Sequence, residues 1–156
     1  MKTKLSIKRI GRIREQGYNC SNHEIAGLAI GNRFAYQLCT SLLLLGVVFA
    51  NIPLLIVMFG VAFLSIILPN HLFDYIYNHA IRHCFKLPKL PPRSKQLKFA
   101  CSIATIWIAA TIYFFYQELF TAGYIAGSSL LFVAILVSTT DICIPSIIYN
   151  KLFIKK

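Results

Sequence analysis

The fold is decided by residues 34–73, FAYQLCTSLLLLGVVFANIPLLIVMFGVAFLSIILPNHLF, a run of 40 residues without a charged side chain. A helix needs about 20 mainly apolar residues to cross a hydrocarbon layer of about 30 Å. The run is therefore long enough for two crossings if the chain turns near its middle. Asn51 and Pro53 indicate such a turn, because proline fits the first turn of a helix and disfavours helix at the preceding residue.

Two further uncharged runs follow in the second half of the chain. Residues 99–117 are 19 uncharged residues and residues 119–140 are 22, so each run fits one crossing. We predict four spanning helices, which cover 34–50, 53–69, 99–117 and 121–141. The first two contain only 17 residues each, so a re-entrant pair that does not reach the far side is the alternative.

The composition favours a membrane protein over a soluble domain. The 156 residues are 57% hydrophobic and 13% charged, whereas soluble domains have about 25% charged residues. The mean hydropathy of +0.65 points the same way. These values exclude a disordered chain, a collagen-like or disulfide-stapled protein and an ordinary soluble enzyme.

The basic residues indicate the orientation of the chain. There are 16 Lys and Arg against 5 Asp and Glu, and residues 1–33 hold seven of the basic residues, 71–98 six and 142–156 three. With four crossings these three segments share one side, and Lys/Arg-rich loops stay cytoplasmic. We therefore expect a multi-pass protein of the bacterial inner membrane with both termini cytoplasmic. No signal peptide is recognised before residue 34, so the first helix should act as an anchor.

The predicted fold class is an all-α polytopic membrane protein, with four transmembrane helices in two hairpins and one interfacial helix. Five segments follow from the charge pattern: a basic cytoplasmic N-terminal segment (1–33), a first transmembrane hairpin (34–70), a cytoplasmic amphipathic helix with a Pro-rich basic linker (71–98), a second transmembrane hairpin (99–141) and a cytoplasmic tail (142–156).

Residues 71–87 show the spacing of an amphipathic helix lying on the inner membrane surface. Ile76 and Ala80 fall on an apolar side, whereas Asp74 and Asn78 fall on a polar side. Six basic residues of this region are candidates for contact with anionic lipid headgroups or with an acidic partner protein: Arg82, Lys86, Lys89, Arg93, Lys95 and Lys98. Lipid contact accounts for the positive charge without nucleic acid.

Two further features indicate contacts at the ends of the last predicted helix. Gly123 and Gly127 place small residues on one face, which lets a neighbouring helix approach closely. Asp141 lies at the inner end, where Lys98 or Arg33 is available for an interfacial ion pair.

Cysteines and histidines are the candidate reactive groups. Five cysteines, an odd number facing a reducing compartment, do not indicate a disulfide framework. Cys20 with His23, and His79 with His83 and Cys84, have the spacing of weak metal half-sites. We favour surface histidines on an interfacial helix, and we expect neither a metal nor a cofactor. No nucleophile elbow, phosphate loop or HExxH motif is present, so an enzyme is the less favoured class.

Four short motifs occur in a fixed order: Asn32-Arg33, LPPR at 90–93, KFAC at 98–101 and TTDICIPS at 139–146. In order and spacing they resemble a bacterial family of small integral membrane proteins classified as domain of unknown function 4395, over residues 30–153. Many members look as if they carry Cys-x-x-Cys where this chain has Cys143 and Ser146. Two thiols at that spacing can cycle between dithiol and disulfide, so the resemblance implies Cys143 as a candidate thiol whose usual partner is replaced.

Three functions follow from the sequence as hypotheses. The first is a non-catalytic structural or accessory component that packs with other membrane protein subunits or with its own copies. The second is a thiol- or sulfur-handling membrane protein that uses Cys143 at the cytoplasmic face. The third is a small-molecule carrier that works as an oligomer. Anionic membrane lipids are expected partners in all three.

Overall fold

Helices form all the regular secondary structure among the residues that the computed structural model describes, which are 6–18, 21–85 and 87–154, with the backbone alone for 22–24, 26–27 and 85. They are α1 (Ile7–Glu15), α2 (Asn22–Val48), α3 (Ile52–Ile67), α4 (Leu72–Ile76), a π-helical turn (Tyr77–Ile81), α5 (Arg82–Phe85), α6 (Lys95–Tyr116), α7 (Phe120–Thr140) and α8 (Ile144–Phe153). The all-α prediction is confirmed.

Two of the four predicted crossings are long and apolar enough by themselves to span a membrane. These are α6, with 22 residues, and α7, with 21. A third crossing is possible only if α3 and the segment Leu72–Cys84 together form one span. These two parts are bent by 79° relative to each other. The structure thus supports two to three crossings by length and composition, because α3 has 16 residues and α2 begins in a polar stretch.

The four long helices form two hairpins packed side by side. The chain turns at 49–51 between α2 and α3, and at 117–119 between α6 and α7. Asn51 caps α3 by accepting a hydrogen bond from the Leu54 amide at 3.0 Å, as expected for an N-cap asparagine. The buried core between the hairpins consists mainly of aliphatic side chains from all four helices: Leu43, Val47, Leu55, Met58, Ala62, Ile108, Phe115 and Leu130.

At the end of the bundle away from the turns at 49–51 and 117–119, the four long helices join the three basic segments of the sequence. The Ser94 hydroxyl at the start of α6 donates to the backbone oxygen of Gln16 after α1. The Asn150 side chain of α8 donates to the Glu15 carbonyl at 2.8 Å. The charged end, as we name it, therefore comprises α1, the segment 71–94, the residues around Asp141 and α8.

The segment formed by α4, the π-helical turn and α5 is oriented differently from the predicted amphipathic helix. Asp74 and Asn78 of its polar side are 1% and 5% exposed, whereas Ile76 of its apolar side is 48% exposed. The expectation that the polar side faces water is therefore wrong. The polar side faces the protein because Arg93 and the backbone of Leu90 provide partners for it there.

Candidate functional site

A buried ion pair at the charged end joins the two ends of the segment 71–94, through Asp74 and Arg93. Arg93 Nε and Nη2 donate to the two carboxylate oxygens of Asp74 at 2.6 and 2.7 Å, and both side chains are almost fully buried. Arg93 Nη1 also donates to the Tyr36 hydroxyl at 3.1 Å. The guanidinium stacks over that ring, 5.2 Å from its centre. The predicted lipid-facing role of Arg93 is wrong, because a bidentate carboxylate holds it inside the protein.

The start of α4 is fixed by a reciprocal cap. The Asp74 carboxylate accepts from the His71 amide at 3.1 Å, and His71 Nδ1 accepts from the Phe73 amide at 3.3 Å. In the neutral ring Nε2 therefore carries the proton. This atom lies 3.7 Å from Cys39 Sγ. Burial and the charge of Arg93 together lower the pKa of His71 to about 4, against the opposing effect of Asp74, so the ring is neutral at pH 7.

A second buried carboxylate connects α7 to the first two helices. Asp141 ends α7 in the left-handed conformation, with φ of 59°. Its side chain is 1% exposed and pairs with Arg9 and with Arg33, the latter at 3.2 Å. The predicted pair with Lys98 is not formed, because these two arginines occupy the carboxylate, whereas the alternative predicted pair with Arg33 is.

Gln16 is a fully buried side chain that sequence reasoning missed. Its amide nitrogen donates to the Asp141 carbonyl at 2.8 Å. Its amide oxygen accepts from Asn32 at 3.1 Å and from the Tyr36 hydroxyl at 3.2 Å. Gln16 thus holds α1, α2 and α7 together. The only sequence signal nearby is Asn32, which belongs to one of the motifs of the family resemblance.

An apolar cavity of about 240 Å³ lies inside the bundle, between α2, α3, α6, α7 and the start of α8. Most of its wall is aliphatic, and at the charged end it is lined by Tyr36, His71 and Arg93. Three cysteines line it as well: Cys39 from α2, Cys101 from α6 and Cys143 from the residue before α8. We call this space the thiol cavity.

The three cysteines line one cavity although they are far apart in sequence. The fourth described cysteine, Cys84, is exposed on α5 and does not line the cavity. Of the four cysteines that the structure describes, three therefore share one apolar space, which sequence spacing alone does not indicate.

Cys143 occupies the N-cap position of α8, and the side chain is 8% exposed. Burial raises the pKa of the Cys143 thiol, while the neighbouring Ser146 and the charge of Arg93 oppose the increase. The thiol is therefore protonated at neutral pH. The position at the cytoplasmic face stays a prediction, and the structure adds that the thiol lines the cavity and is buried from solvent.

The remaining predicted basic residues occupy different environments. Lys89 and Lys95 are exposed, and Lys98 is half-buried. Arg82 is half-buried and its Nε donates to the Asn78 carbonyl at 2.7 Å. Lys86 lies outside the described residues.

Gly123 and Gly127 pack against helices of this same chain. A Cβ atom on Gly123 would lie 2.6 Å from the Phe115 ring, and one on Gly127 would lie 2.8 Å from Val47. Glycine is therefore needed at both positions for α7 to approach α6 and α2 closely. Because the two glycines already serve contacts within this chain, they give no reason to expect a helix from a partner.

The predicted metal half-sites are not brought together in the part of the chain that the structure describes. Cys20 and the side chain of His23 lie outside it. His79 hydrogen-bonds through Nδ1 to the Tyr75 carbonyl at 2.9 Å, and Cys84 is exposed. Within the described ranges, no group of three or more His, Cys, Asp or Glu side chains is arranged to hold a metal ion.

Comparison with known proteins gives one finding. No curated protein and no solved structure matches the chain. A family profile described as a domain of unknown function, DUF4395, matches residues 29–153. This range contains α2 beyond its first turns, the Asp74–Arg93 pair, the Asp141–Arg33 pair and the thiol cavity, but not α1 with Arg9. The chain belongs to this family of domains of unknown function, DUF4395.

Proposed function

We propose that the chain is an integral protein of the bacterial inner membrane, with the four long helices as crossings and the charged end in the cytoplasm. The support is the outward face of the bundle, where Ile106, Ile125 and Phe132 are 72%, 67% and 65% exposed. Burying such side chains in lipid is worth about 1.5–3 kcal/mol each. The concentration of basic residues at one end agrees with the orientation rule for cytoplasmic segments.

Topology reporters test this proposal. A reporter that is active only in the periplasm should be inactive after residue 154 and active when inserted in the turn at 117–119. A second insertion at 49–51 distinguishes two full crossings by α2 and α3 from a re-entrant pair, since only full crossings make it active. Recovery of the chain in the aqueous fraction without detergent would overturn the proposal.

We propose further that the protein handles a small apolar sulfur compound, with Cys143 as the reacting thiol. The observation that carries this proposal is the convergence of three cysteines on the thiol cavity. A cavity of 150 Å³ with apolar walls can bind benzene, so the space of about 240 Å³ is large enough for a small organic molecule. Its apolar wall and the protonated thiol select against a charged one.

The chemistry is thiol–disulfide exchange. Cys143 loses its proton and attacks an apolar disulfide RSSR′, which forms the bond between its sulfur and RS. The R′S group leaves and takes the proton, so R′SH is released. Cys101 can then attack the sulfur of Cys143 to give an internal disulfide and RSH. In total the two protein thiols are oxidised and RSSR′ is reduced to two thiols. Ser146 cannot perform the second step.

Two disulfide reagents distinguish the cavity thiol from surface thiols. The uncharged dipyridyl disulfide should modify Cys143, with peptide mapping by mass spectrometry as the readout. The dianionic dithiobis-nitrobenzoate should modify exposed Cys84 and leave Cys143 unmodified. A Cys101→Ser variant should accumulate the mixed disulfide at Cys143, whereas the matched Cys84→Ser variant should still form the internal disulfide.

The outcomes of that experiment are separable. Equal rates of Cys143 modification by both reagents contradict the proposed selectivity of the cavity. Absence of any modification by the uncharged reagent, even at pH 9, would overturn the thiol function. Because burial raises the pKa of the Cys143 thiol, the rate should still increase with pH above 9, by up to tenfold per unit.

The non-catalytic accessory role is a second proposal. The exposed apolar sides of α6 and α7, represented by Ile106 and Ile125, are suitable for a neighbouring membrane helix as well as for lipid. Native mass measurement after gentle extraction tests it. A co-purifying protein supports the role, whereas a homo-oligomer agrees with both this role and the carrier hypothesis. A strictly monomeric particle without a partner contradicts both.

A further inference from the structure

A second pocket, of about 380 Å³, lies at the charged end between α1, α2 and the last turn of α7. Its wall is formed by cationic and hydroxyl side chains: Ser6, Lys8, Arg9, Arg12, Arg33, Thr139 and Thr140. We call it the arginine pocket. It is separate from the thiol cavity, since the two have no lining residue in common.

The arginine pocket carries an excess of positive charge. Four cations line it, and Asp141 is the carboxylate that pairs with two of them. Arg9 uses Nε for that pair, and among the described residues its Nη atoms have no hydrogen-bond partner. Arg12 donates through Nη1 to the Thr140 carbonyl at 2.9 Å. Guanidinium groups whose N–H donors are not all used bind phosphate oxygens well, often through two parallel hydrogen bonds.

The position of the pocket favours a lipid as the source of the phosphate. Arg33 directly precedes the uncharged run of α2, and Thr139 and Thr140 end that of α7. This is the depth at which lipid headgroups lie. Below the pocket on α7, Ile135 and Phe132 are 45% and 65% exposed. They precede Thr139 on α7 at helical spacing, so they lie on its face of the helix and lead into the apolar layer.

We propose that the arginine pocket binds the phosphate group of an anionic phospholipid, whose acyl chains lie along Ile135 and Phe132 of α7. The proposal rests on the membrane location proposed above. It gives α1, which lies outside the range matched by the family profile, a role of its own. Lys8 and Arg12 of α1 complete a site that Arg33 alone would leave open.

Binding to lipids of different charge tests the proposal on the full chain in neutral detergent. Native mass spectrometry should show phosphatidylglycerol retained about tenfold more strongly than phosphatidylcholine. The double variant Lys8→Gln/Arg12→Gln should lose most of this preference. The matched variant Lys89→Gln/Lys95→Gln removes two exposed cations that do not line the arginine pocket. It makes the same change in net charge and should keep the preference.

Each outcome decides the proposal. An equal loss in both double variants means diffuse electrostatic attraction and overturns a defined site. Full displacement of the lipid by inorganic phosphate means that the site takes free phosphate, which overturns the lipid assignment. Retention of the preference by the Lys8→Gln/Arg12→Gln variant also overturns it. A chain that needs no detergent would instead contradict the membrane location, and its phosphate binding could still be measured in solution.

Discussion

The two buried carboxylates of the charged end are built in opposite ways. Asp74 meets one arginine with both of its oxygens, and the side chains of Asp74 and Arg93 are 1% and 3% exposed. Asp141 is equally buried but meets two arginines, Arg9 and Arg33, whose side chains are 26% and 29% exposed. The first pair is electrically balanced and closed to water. The second has more positive than negative charge and is open on one side.

This difference separates a structural ion pair from a binding surface. A closed pair is costly to break, because the remaining charge stays buried without a partner. In an open cluster the arginines can turn to water when the carboxylate is lost, so the cost is lower and depends on salt. The excess positive charge of the open cluster can be neutralised by a bound anion, which the closed pair does not need. The predictions below test this contrast in order of expected size.

Removing the Asp74 charge should have the largest effect. Asp74→Asn leaves Arg93 buried and unpaired, which costs about 3–5 kcal/mol of unfolding free energy. It also weakens the cap of α4, since the carboxylate accepts from the His71 amide. Thermal unfolding in detergent, compared with wild type, measures the loss.

A double variant shows whether the loss comes from the unpaired charge. Asp74→Asn with Arg93→Met removes both charges and should recover a large part of the stability, because an apolar replacement of a buried pair is often tolerated. A double variant as unstable as the single one would mean that the hydrogen bonds of Arg93 to Tyr36 matter more than its charge balance.

Acid should destabilise the Asp74 region through His71. Its pKa is about 4 in the folded protein, lowered by burial, against 6.5 in an unfolded chain. The unfolded state therefore binds more protons, and stability falls as the pH drops from about 6.5 to about 4. At 1.36 kcal/mol per pKa unit the full effect is about 3 kcal/mol. Unfolding measured across this range gives the slope.

His71→Asn is the control that shows whether His71 causes this dependence of stability on pH. Asparagine can still cap α4, because its side-chain oxygen accepts a hydrogen bond as Nδ1 does. It does not titrate, so the loss of stability between pH 6.5 and 4 should be much smaller. An unchanged slope in the variant would mean that another group, such as a carboxylate, causes the acid sensitivity.

Removing the Asp141 charge should cost less than removing that of Asp74. Asp141→Asn keeps the left-handed backbone conformation, which asparagine also tolerates, and so isolates the charge. The loss of charge-assisted hydrogen bonds predicts about 1.5–3 kcal/mol. The loss should shrink as salt is added, in contrast to that of Asp74→Asn. If both variants lost the same unfolding free energy, and neither loss depended on salt, the contrast between the two carboxylates would be wrong.

The sequence predicted the long helices better than the contacts at their ends. Runs of uncharged residues mark segments that need an apolar environment, and Asn51 and Pro53 marked one turn correctly. The predicted span count of four exceeds the two to three that the structure supports, because α3 is short and bends by 79° into the next segment. The segment after the bend is held by the contact between Asp74 and Arg93, which lie 19 residues apart and have no shared sequence signal.

The candidate site was predictable only in part for the same reason. The motif resemblance pointed to Cys143, but Cys39 and Cys101, which line the same cavity, are contributed by separate helices. Helical spacing placed Asp74 on a polar side and could not reveal that this side faces the protein. Gln16 looked like an ordinary polar residue, because only the folded arrangement shows that it is fully buried.

The smallest predicted effect has the opposite sign. Lys8 and Arg12 are one helical turn apart on α1, and like charges at this spacing destabilise a helix by about 0.2–0.5 kcal/mol. Lys8→Gln should therefore slightly increase stability in neutral detergent at low salt. In micelles that contain anionic phospholipid the same variant should be less stabilised than wild type, because it has lost a ligand contact. A variant that is less stable than wild type in both conditions would show that Lys8 supports the fold, and the open cluster would then be structural like the closed one.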